Sequence, residues 1–263
     1  MPTPVIEAFG LRVAIEVDPD HAEVLALADR LLPPFSPGEG GRPVDLTYRT
    51  SRMPDGRIAV LRGRRMVGTA NDLPGAAQAL VTDLQSSIAR AAPGWTFVHA
   101  GVVALDGLAL LLPARSYAGK STLVAALLRA GADYGSDEFA ILDRDGLVHP
   151  YARPLALRTV GGPVSYVNAG ALGSRVLTTP LPASAIVFTQ FHPDASLQLA
   201  TVPPGEVVLR LLEQCLGARG RPGQNLVALQ AVGARARGFA GLRGEADLAT
   251  QDLVRRARAG WPA

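Results

Sequence analysis

Apolar and polar positions repeat along the first part of the chain in the pattern of a small α+β unit. Every second residue from Leu11 to Val17 is apolar, which predicts a strand with one buried face. The turn sequence Pro54-Asp-Gly56 lies between two strand-like runs and predicts a hairpin. His21, at the start of the first predicted helix, is expected at the surface. The predicted elements after Leu11–Val17 are a helix over 22–32, strands over 44–51, 57–61 and 64–70, and a helix over 74–91 capped by Asn71 or Asp72.

Pro93-Gly94 marks the predicted boundary between this unit, 1–93, and a second unit, 94–263. The second unit opens with apolar runs over 97–105 and 108–112, and the dipeptide Asp106-Gly107 between them predicts a tight antiparallel hairpin. Residues 161–173 are rich in glycine, which predicts either a mobile loop that could close over a substrate or a plain connector. The other predicted elements are helices over 123–129, 207–216, 225–237 and 246–259, strands over 132–142, 185–191 and 197–202, and a short strand or linker over 238–243.

The hairpin is followed by a sequence that is typical of a phosphate-binding loop. The buried strand ends in Pro113-Ala-Arg-Ser-Tyr-Ala-Gly-Lys-Ser-Thr122, and a run of helix formers comes next. Free amides at a helix start bind anions, a lysine reaches the β- and γ-phosphates, and a serine hydroxyl can bind Mg²⁺. Ala114 stands where the usual motif has glycine, so the loop entry is expected to differ in shape. The predicted ATP-binding residues are Ala114, Arg115, Ser116, Tyr117, Ala118, Gly119, Lys120, Ser121 and Thr122, with Ser121 also at the metal.

Composition supports this interpretation and excludes other classes of function. Lys120 is the single lysine among 26 lysines and arginines, so arginine is used everywhere except at the position where this loop needs a compact ammonium. A net charge of +3 without basic runs among aromatics does not indicate a nucleic-acid partner. The one cysteine, Cys215, lies in an apolar helical pattern and is expected in the core. Without a signal peptide or an 18-residue apolar run, the sequence predicts a cytoplasmic protein with no membrane partner.

Two acidic residues follow the predicted loop and helix. Asp137 and Glu138 interrupt the strand over 132–142; one carboxylate could hold Mg²⁺ and the other could accept a proton from an attacking hydroxyl. A solvated acidic pair in a loop is the alternative. Arg153 and Arg158 lie further along the chain, and either could offset charge on a transferred phosphoryl group or lie at the surface.

These features together resemble the catalytic domain of HPr kinase/phosphorylase and HPr-kinase-related proteins, which include kinases found beside peptide natural-product genes. The resemblance is carried by His99 in Val98-His99-Ala-Gly-Val, by Ser116-Tyr-Ala-Gly119-Lys120-Ser121, and by Asp137-Glu138. It implies an α/β P-loop kinase core, a mixed sheet with an antiparallel hairpin before the P-loop. It also implies ATP and Mg²⁺ as cofactors. Asp137 is then the expected base, Glu138 a metal or proton-transfer partner, His99 a polar group near the transferred phosphate, and Lys120 a catalytic cation.

The predicted function is transfer of the γ-phosphoryl group of ATP to a hydroxyl, typically serine, of a peptide, protein or small molecule. The family's later Glu-x-Arg-Gly-x-Gly signature is not found, so HPr as the acceptor, a phosphorylase reaction and a hexamer are not implied. The alternatives are a nucleotide-dependent binding or regulatory module and a plain NTP hydrolase. The preference between ATP and GTP and a homo-oligomeric state stay open.

Overall fold

The structure is a computed structural model that describes residues 4–38, 41–114, 119–158, 162 and 164–262. The chain forms two compact units, Met1–Pro93 and Gly94–Ala263. Four of the predicted nucleotide-binding residues, Arg115, Ser116, Tyr117 and Ala118, lie outside the described residues.

The first unit is a six-stranded sheet with two helices. The strand order is β3-β1-β2-β4-β5-β6, and β2 and β4 are the one parallel pair among the described strands of this unit. Asp72 caps the second helix by accepting a hydrogen bond from the Gly75 amide at 2.7 Å. The elements are β1 (Val5–Ala8), β2 (Leu11–Glu16), α1 (Glu23–Asp29), β3 (Ser36–Pro37), β4 (Leu46–Arg52), β5 (Ile58–Arg62), β6 (Arg65–Ala70) and α2 (Leu73–Ala91).

His21 lies in the interior of the first unit, and the prediction of a surface position is wrong. Its side chain is 1% exposed, and its Nδ1 lies 3.1 Å from the hydroxyl of Thr50. The Thr50 hydroxyl also accepts a hydrogen bond from the Asp18 amide. The Thr50 hydroxyl, on a strand distant in sequence, therefore satisfies one nitrogen of the buried imidazole. The residues next to His21 in the sequence do not indicate this partner.

The second unit is built on a mixed sheet of nine strands, counted within the described residues. The main strand order is β11-β10-β7-β8-β14-β17-β15, and β9 and β16 pair with further stretches of β7. The strands are β7 (Thr96–Leu105), β8 (Leu108–Pro113), β9 (Asp133–Ser136), β10 (Phe139–Leu142), β11 (Val148–His149), β12 (Leu155–Arg158), β13 (Val164–Val167), β14 (Ala183–Phe191), β15 (Gln198–Val202), β16 (Cys215–Leu216) and β17 (Arg237–Arg243). The helices are α3 (Lys120–Arg129), α4 (Pro204–Glu213), α5 (Pro222–Arg235) and α6 (Ala246–Arg258).

The tight hairpin predicted between the first two strands of this unit is confirmed. Strands β7 and β8 are antiparallel and pair from Leu105↔Leu108 onward. Asp106 and Gly107 both have a positive φ, 50° and 77°, which is the conformation that a two-residue hairpin turn requires. Strand β8, which precedes the predicted phosphate-binding loop, therefore has the antiparallel neighbour β7 on one side and the parallel strand β14 on the other.

Both faces of the large sheet are covered by helices, so the second unit has three layers. Alternate apolar residues of β7 and β8 pack against α3 and α6 on one face, and the residues between them pack against α4 and α5 on the other. The core side chains of α3 include Leu123, Leu127 and Leu128, each 1% exposed or less. Within the described residues, no helix has the length and apolar character needed to cross a membrane.

Two local predictions in the second unit are corrected by this fold. Cys215 lies in the short strand β16, paired with β7, and is partly buried, because α4 ends at Glu213, before the expected helix end. The segment 161–173 contains regular structure where it is described, since β13 pairs with β12 and a short 3₁₀ helix spans Ala169–Leu172.

Candidate functional site

Three parallel strands end at one edge of the large sheet and define where the site lies. Strands β8, β14 and β17 run in the same direction, so their carboxyl ends share that edge, where open α/β sheets bind ligands. Strand β7 runs the opposite way and places His99 at the same edge, next to the Ala100↔Pro113 pair that ends β8. On the other side of β7, Phe139 pairs with His99, so the Asp137–Glu138 turn is at this edge as well.

Helix α3 begins at this edge of the sheet, directly after the predicted phosphate-binding loop. Gly119 is its N-terminal cap residue with φ 73°, and Lys120 and Ser121 occupy the first turn, whose amides have no acceptor within the helix. The helix lies close to β7 because Gly101 has no side chain; a Cβ there would lie 2.6 Å from Cγ2 of Val124. Ala114 is partly buried at the end of β8.

Lys120 is a buried cation without a hydrogen-bond partner in the described part of the chain. The residue is 9% exposed, and its Nζ makes no hydrogen bond to the described part of the chain. Burial lowers the pKa of Lys120 from its ordinary 10.5 to about 8, and the nearby carboxylates of Glu138 and Asp137 limit the fall. A buried ammonium that donates no hydrogen bond to the described residues is the donor that an anionic ligand would satisfy.

Asp137 connects α3 to the strands across from it. Its side chain accepts hydrogen bonds from the Ser121 hydroxyl at 3.1 Å, the Tyr134 hydroxyl at 3.2 Å and the Ala156 amide at 3.1 Å. The residue is 2% exposed. Three donors from three separate elements hold this carboxylate in one orientation, beside the serine of the loop motif.

Glu138 lies in the same site with fewer constraints. Its side chain is 33% exposed, and its carboxylate oxygens lie 3.9 Å from Nε2 of His99 and 3.8 Å from a guanidinium nitrogen of Arg153. Burial raises the pKa of Glu138 above its ordinary 4.5, against the opposing effect of Lys120 and Arg153. A raised pKa makes this carboxylate the stronger proton acceptor that acid–base catalysis near neutral pH requires.

His99 is a neutral group at this site. Burial, and then the charge of Lys120, lower the pKa of His99 to about 4. The 3.9 Å contact with Glu138 is therefore not an ion pair at neutral pH, and the imidazole can offer only neutral hydrogen bonding.

We expect the His99 imidazole to titrate near pH 4, well below the ordinary 6.5, when followed by NMR of the ring carbons. Between these two values the unfolded chain binds a proton that folded His99 does not, so the free energy of unfolding falls as the pH falls from about 6.5 to 4. His99→Gln should remove that slope from acid unfolding, and the exposed His192→Gln is the matched control. A His99 midpoint near 6.5 would contradict a buried position beside Lys120.

Of the two arginines considered from the sequence, one belongs to this site. Arg153 is 7% exposed and lies beside Glu138, and its carbonyl lies 2.8 Å from the Tyr134 hydroxyl, whose one proton is shared between this carbonyl and Asp137. Arg158 is exposed at the end of β12. Sequence reasoning missed Tyr134 and also Arg243, which reaches the cap of α3 from the end of β17. The topology that brings these two residues in is not encoded in any short motif.

Oxygen donors suited to a hard cation are present, although the described residues contain no cluster of three or more His, Cys, Asp or Glu side chains that could hold a metal alone. The Ser121 hydroxyl lies beside the Asp137 carboxylate, and Mg²⁺ commonly binds through one or two protein oxygens together with substrate phosphates. The residues present therefore fit a Mg²⁺ ion that arrives with a nucleotide.

Comparison with known proteins gives a distant likeness to a solved structure. No protein-family model matches this chain, and no curated protein matches its sequence. Among solved structures, the HPr(Ser) kinase/phosphatase from Coxiella burnetii aligns over 62% of this chain and 96% of its own, with 14% identity and a TM-score of 0.36. At that identity and TM-score the likeness transfers neither an activity nor a residue role to this chain.

Proposed function

We propose that this chain is a kinase that transfers the γ-phosphoryl group of ATP to a hydroxyl, serine being the expected one, of a peptide, protein or small molecule. The observation that carries the proposal is the Nζ of Lys120, buried and without a partner among the described residues, in the first turn of α3. The carboxylates of Glu138 and Asp137 are close enough to raise the pKa of Lys120. The ammonium, the start of α3 and the two acids therefore lie in one site.

The start of α3 is the part of the site that would hold the phosphates. Free amides and the positive end of the helix dipole favour phosphate oxygens there, and Lys120 adds a full charge. Ser121 and Asp137 would hold Mg²⁺, which neutralises charge on the phosphates. Arg153, buried at the same site, is a second cation able to offset charge that develops during transfer.

For the two carboxylates we propose the reverse of the roles that the sequence predicts. Asp137 is held by three donors and contacts Ser121, which suits a fixed ligand of a metal ion. Glu138 has the raised pKa and the more exposed carboxylate, which suits a base that must reach an incoming hydroxyl. Glu138 is therefore the proposed base.

In the proposed reaction, Glu138 accepts the proton of the acceptor hydroxyl as its oxygen attacks the γ-phosphorus. The new O–P bond forms while the bond from the γ-phosphorus to the bridging oxygen breaks, so a phosphorylated acceptor and ADP leave and the proton stays on Glu138. Neutral His99, 3.9 Å from Glu138, can orient this carboxylate or a phosphoryl oxygen by a hydrogen bond.

We expect the purified chain to transfer ³²P from the γ-position of ATP to a serine peptide encoded by a neighbouring gene, and not to the same peptide with alanine for serine. The transfer should require Mg²⁺. Release of inorganic phosphate from ATP that is equally fast with and without the acceptor peptide would indicate an NTP hydrolase instead. Tight ATP binding without any turnover would contradict a kinase and indicate a regulatory module.

A further inference from the structure

The side chain of the final residue of β17 contacts the start of α3. Arg243 ends β17 and is 2% exposed. Its guanidinium donates a hydrogen bond to the Gly119 carbonyl at 3.0 Å. The same carbonyl accepts the first hydrogen bond of the helix, from the Leu123 amide at 3.1 Å. One carbonyl therefore joins the end of β17 to the first turn of α3.

Gly119 is required here for two separate reasons. Its φ of 73° is the left-handed conformation that favours glycine. A Cβ at this position would also lie 2.5 Å from a terminal nitrogen of Arg243, so the absence of a side chain creates the space in which the guanidinium sits. A larger residue at position 119 would therefore displace the Arg243 guanidinium from its present place.

The guanidinium is fixed from its other sides as well. It donates a second hydrogen bond to the Gly244 carbonyl at 2.9 Å. Its central carbon lies 5.3 Å from the centre of the Phe191 ring, and Phe191 is the residue of β14 that pairs with Arg243. A planar group with five fixed donors, held on an aromatic ring, sets the direction of the carbonyl that it binds.

We infer that Arg243 is a positioning residue of the phosphate site, which fixes the Gly119 carbonyl and thereby the direction of Lys120 and Ser121. These two residues follow Gly119 directly and carry the proposed phosphate and metal contacts. The inference rests on the proposed function, because it assigns Arg243 an effect on nucleotide binding and not only on folding.

The test compares Arg243 with an arginine at the opposite end of the same strand. Arg237 also donates one hydrogen bond to a backbone carbonyl, that of Trp261. We expect Arg243→Met to weaken ATP–Mg²⁺ binding by roughly 10- to 100-fold, the range for a hydrogen bond from a charged group, and Arg237→Met to leave it unchanged. Arg243→Lys, which retains one charged donor, should recover part of the loss.

Binding is measured by calorimetry at a temperature where circular dichroism shows each variant folded, and Arg243→Lys and Arg243→Gln carry the test should Arg243→Met fail to fold. In the kinase assay, KM for ATP should rise while KM for the acceptor stays constant, a division that a general loss of stability does not produce. Equal ATP affinity in the Arg243 and Arg237 variants overturns this inference alone. A wild-type protein that does not bind ATP contradicts the proposed function itself.

Discussion

Replacing Lys120 with methionine is expected to remove measurable ATP binding and, at the same time, to stabilise the nucleotide-free protein. Methionine retains the length and apolar stem of the side chain but not the ammonium. Loss of a charged donor to phosphate should cost roughly 100-fold or more in affinity. In the absence of ATP, the same substitution removes a buried charge whose Nζ has no hydrogen-bond partner among the described residues.

The size of the stabilisation follows from the pKa of Lys120. A fall from 10.5 to about 8 corresponds to about 3 kcal/mol at neutral pH, at 1.36 kcal/mol for each pKa unit. Because the unfolded chain holds this proton up to pH 10.5, wild-type stability should rise as the pH rises from about 8 to 10.5. The methionine variant should lack that rise.

Urea unfolding with and without ATP–Mg²⁺ measures both effects in one experiment. Arg129→Met, at the exposed C-terminal end of the same helix, is the matched control and should change neither quantity by much. A Lys120→Met protein that ATP stabilises as strongly as wild type would contradict the account of the phosphate site. A large loss of stability without ATP would show instead that Lys120 has a partner in the protein.

Glu138→Gln is expected to lower kcat for phosphoryl transfer by roughly 100- to 10,000-fold, the contribution of a general base, while ATP affinity changes only a few-fold. Glutamine retains the shape of the side chain but cannot accept the proton. Steady-state kinetics with the serine peptide, together with calorimetry for ATP, separate the two effects.

Asp137→Asn tests the other half of the assignment. With Asp137 as the metal ligand beside Ser121, this variant should lose the part of ATP affinity that depends on Mg²⁺. Asp133→Asn, at the start of β9 just before the turn and paired with the exposed Arg175, is the matched control and should behave as wild type. Should Asp137→Asn abolish turnover with Mg²⁺-dependent binding intact, while Glu138→Gln loses that binding, the roles would be those predicted from the sequence.

The local features of the fold could be predicted from the sequence because each depends on residues that are close together in the chain. The Asp106-Gly107 turn, the start of α3 near Lys120 and the cap at Asp72 each depend on a few adjacent residues with defined backbone preferences. Asp137 and Glu138 are expected from the sequence at the metal and the attacking hydroxyl, and the Asp137 carboxylate lies 3.1 Å from the Ser121 hydroxyl.

The features that sequence reasoning missed all depend on contacts between distant segments. His21 is buried because Thr50, on another strand, supplies its partner, and Arg243 reaches Gly119 only because β17 lies parallel to β14 and β8. The residues after α4 pair with the part of β7 that β8 does not cover. This pairing places the partly buried Cys215 in a strand. Side-chain periodicity within one segment cannot encode such pairings.

The single lysine of this chain allows its central group to be observed directly. Protein labelled with ¹³C at lysine Cε gives one NMR signal, whose shift with pH reports the pKa of Lys120. We expect a midpoint near pH 8 without nucleotide, and a higher one with saturating ATP–Mg²⁺, because phosphate charge stabilises the ammonium. A midpoint that stays the same when ATP is added would contradict contact between Lys120 and the phosphates.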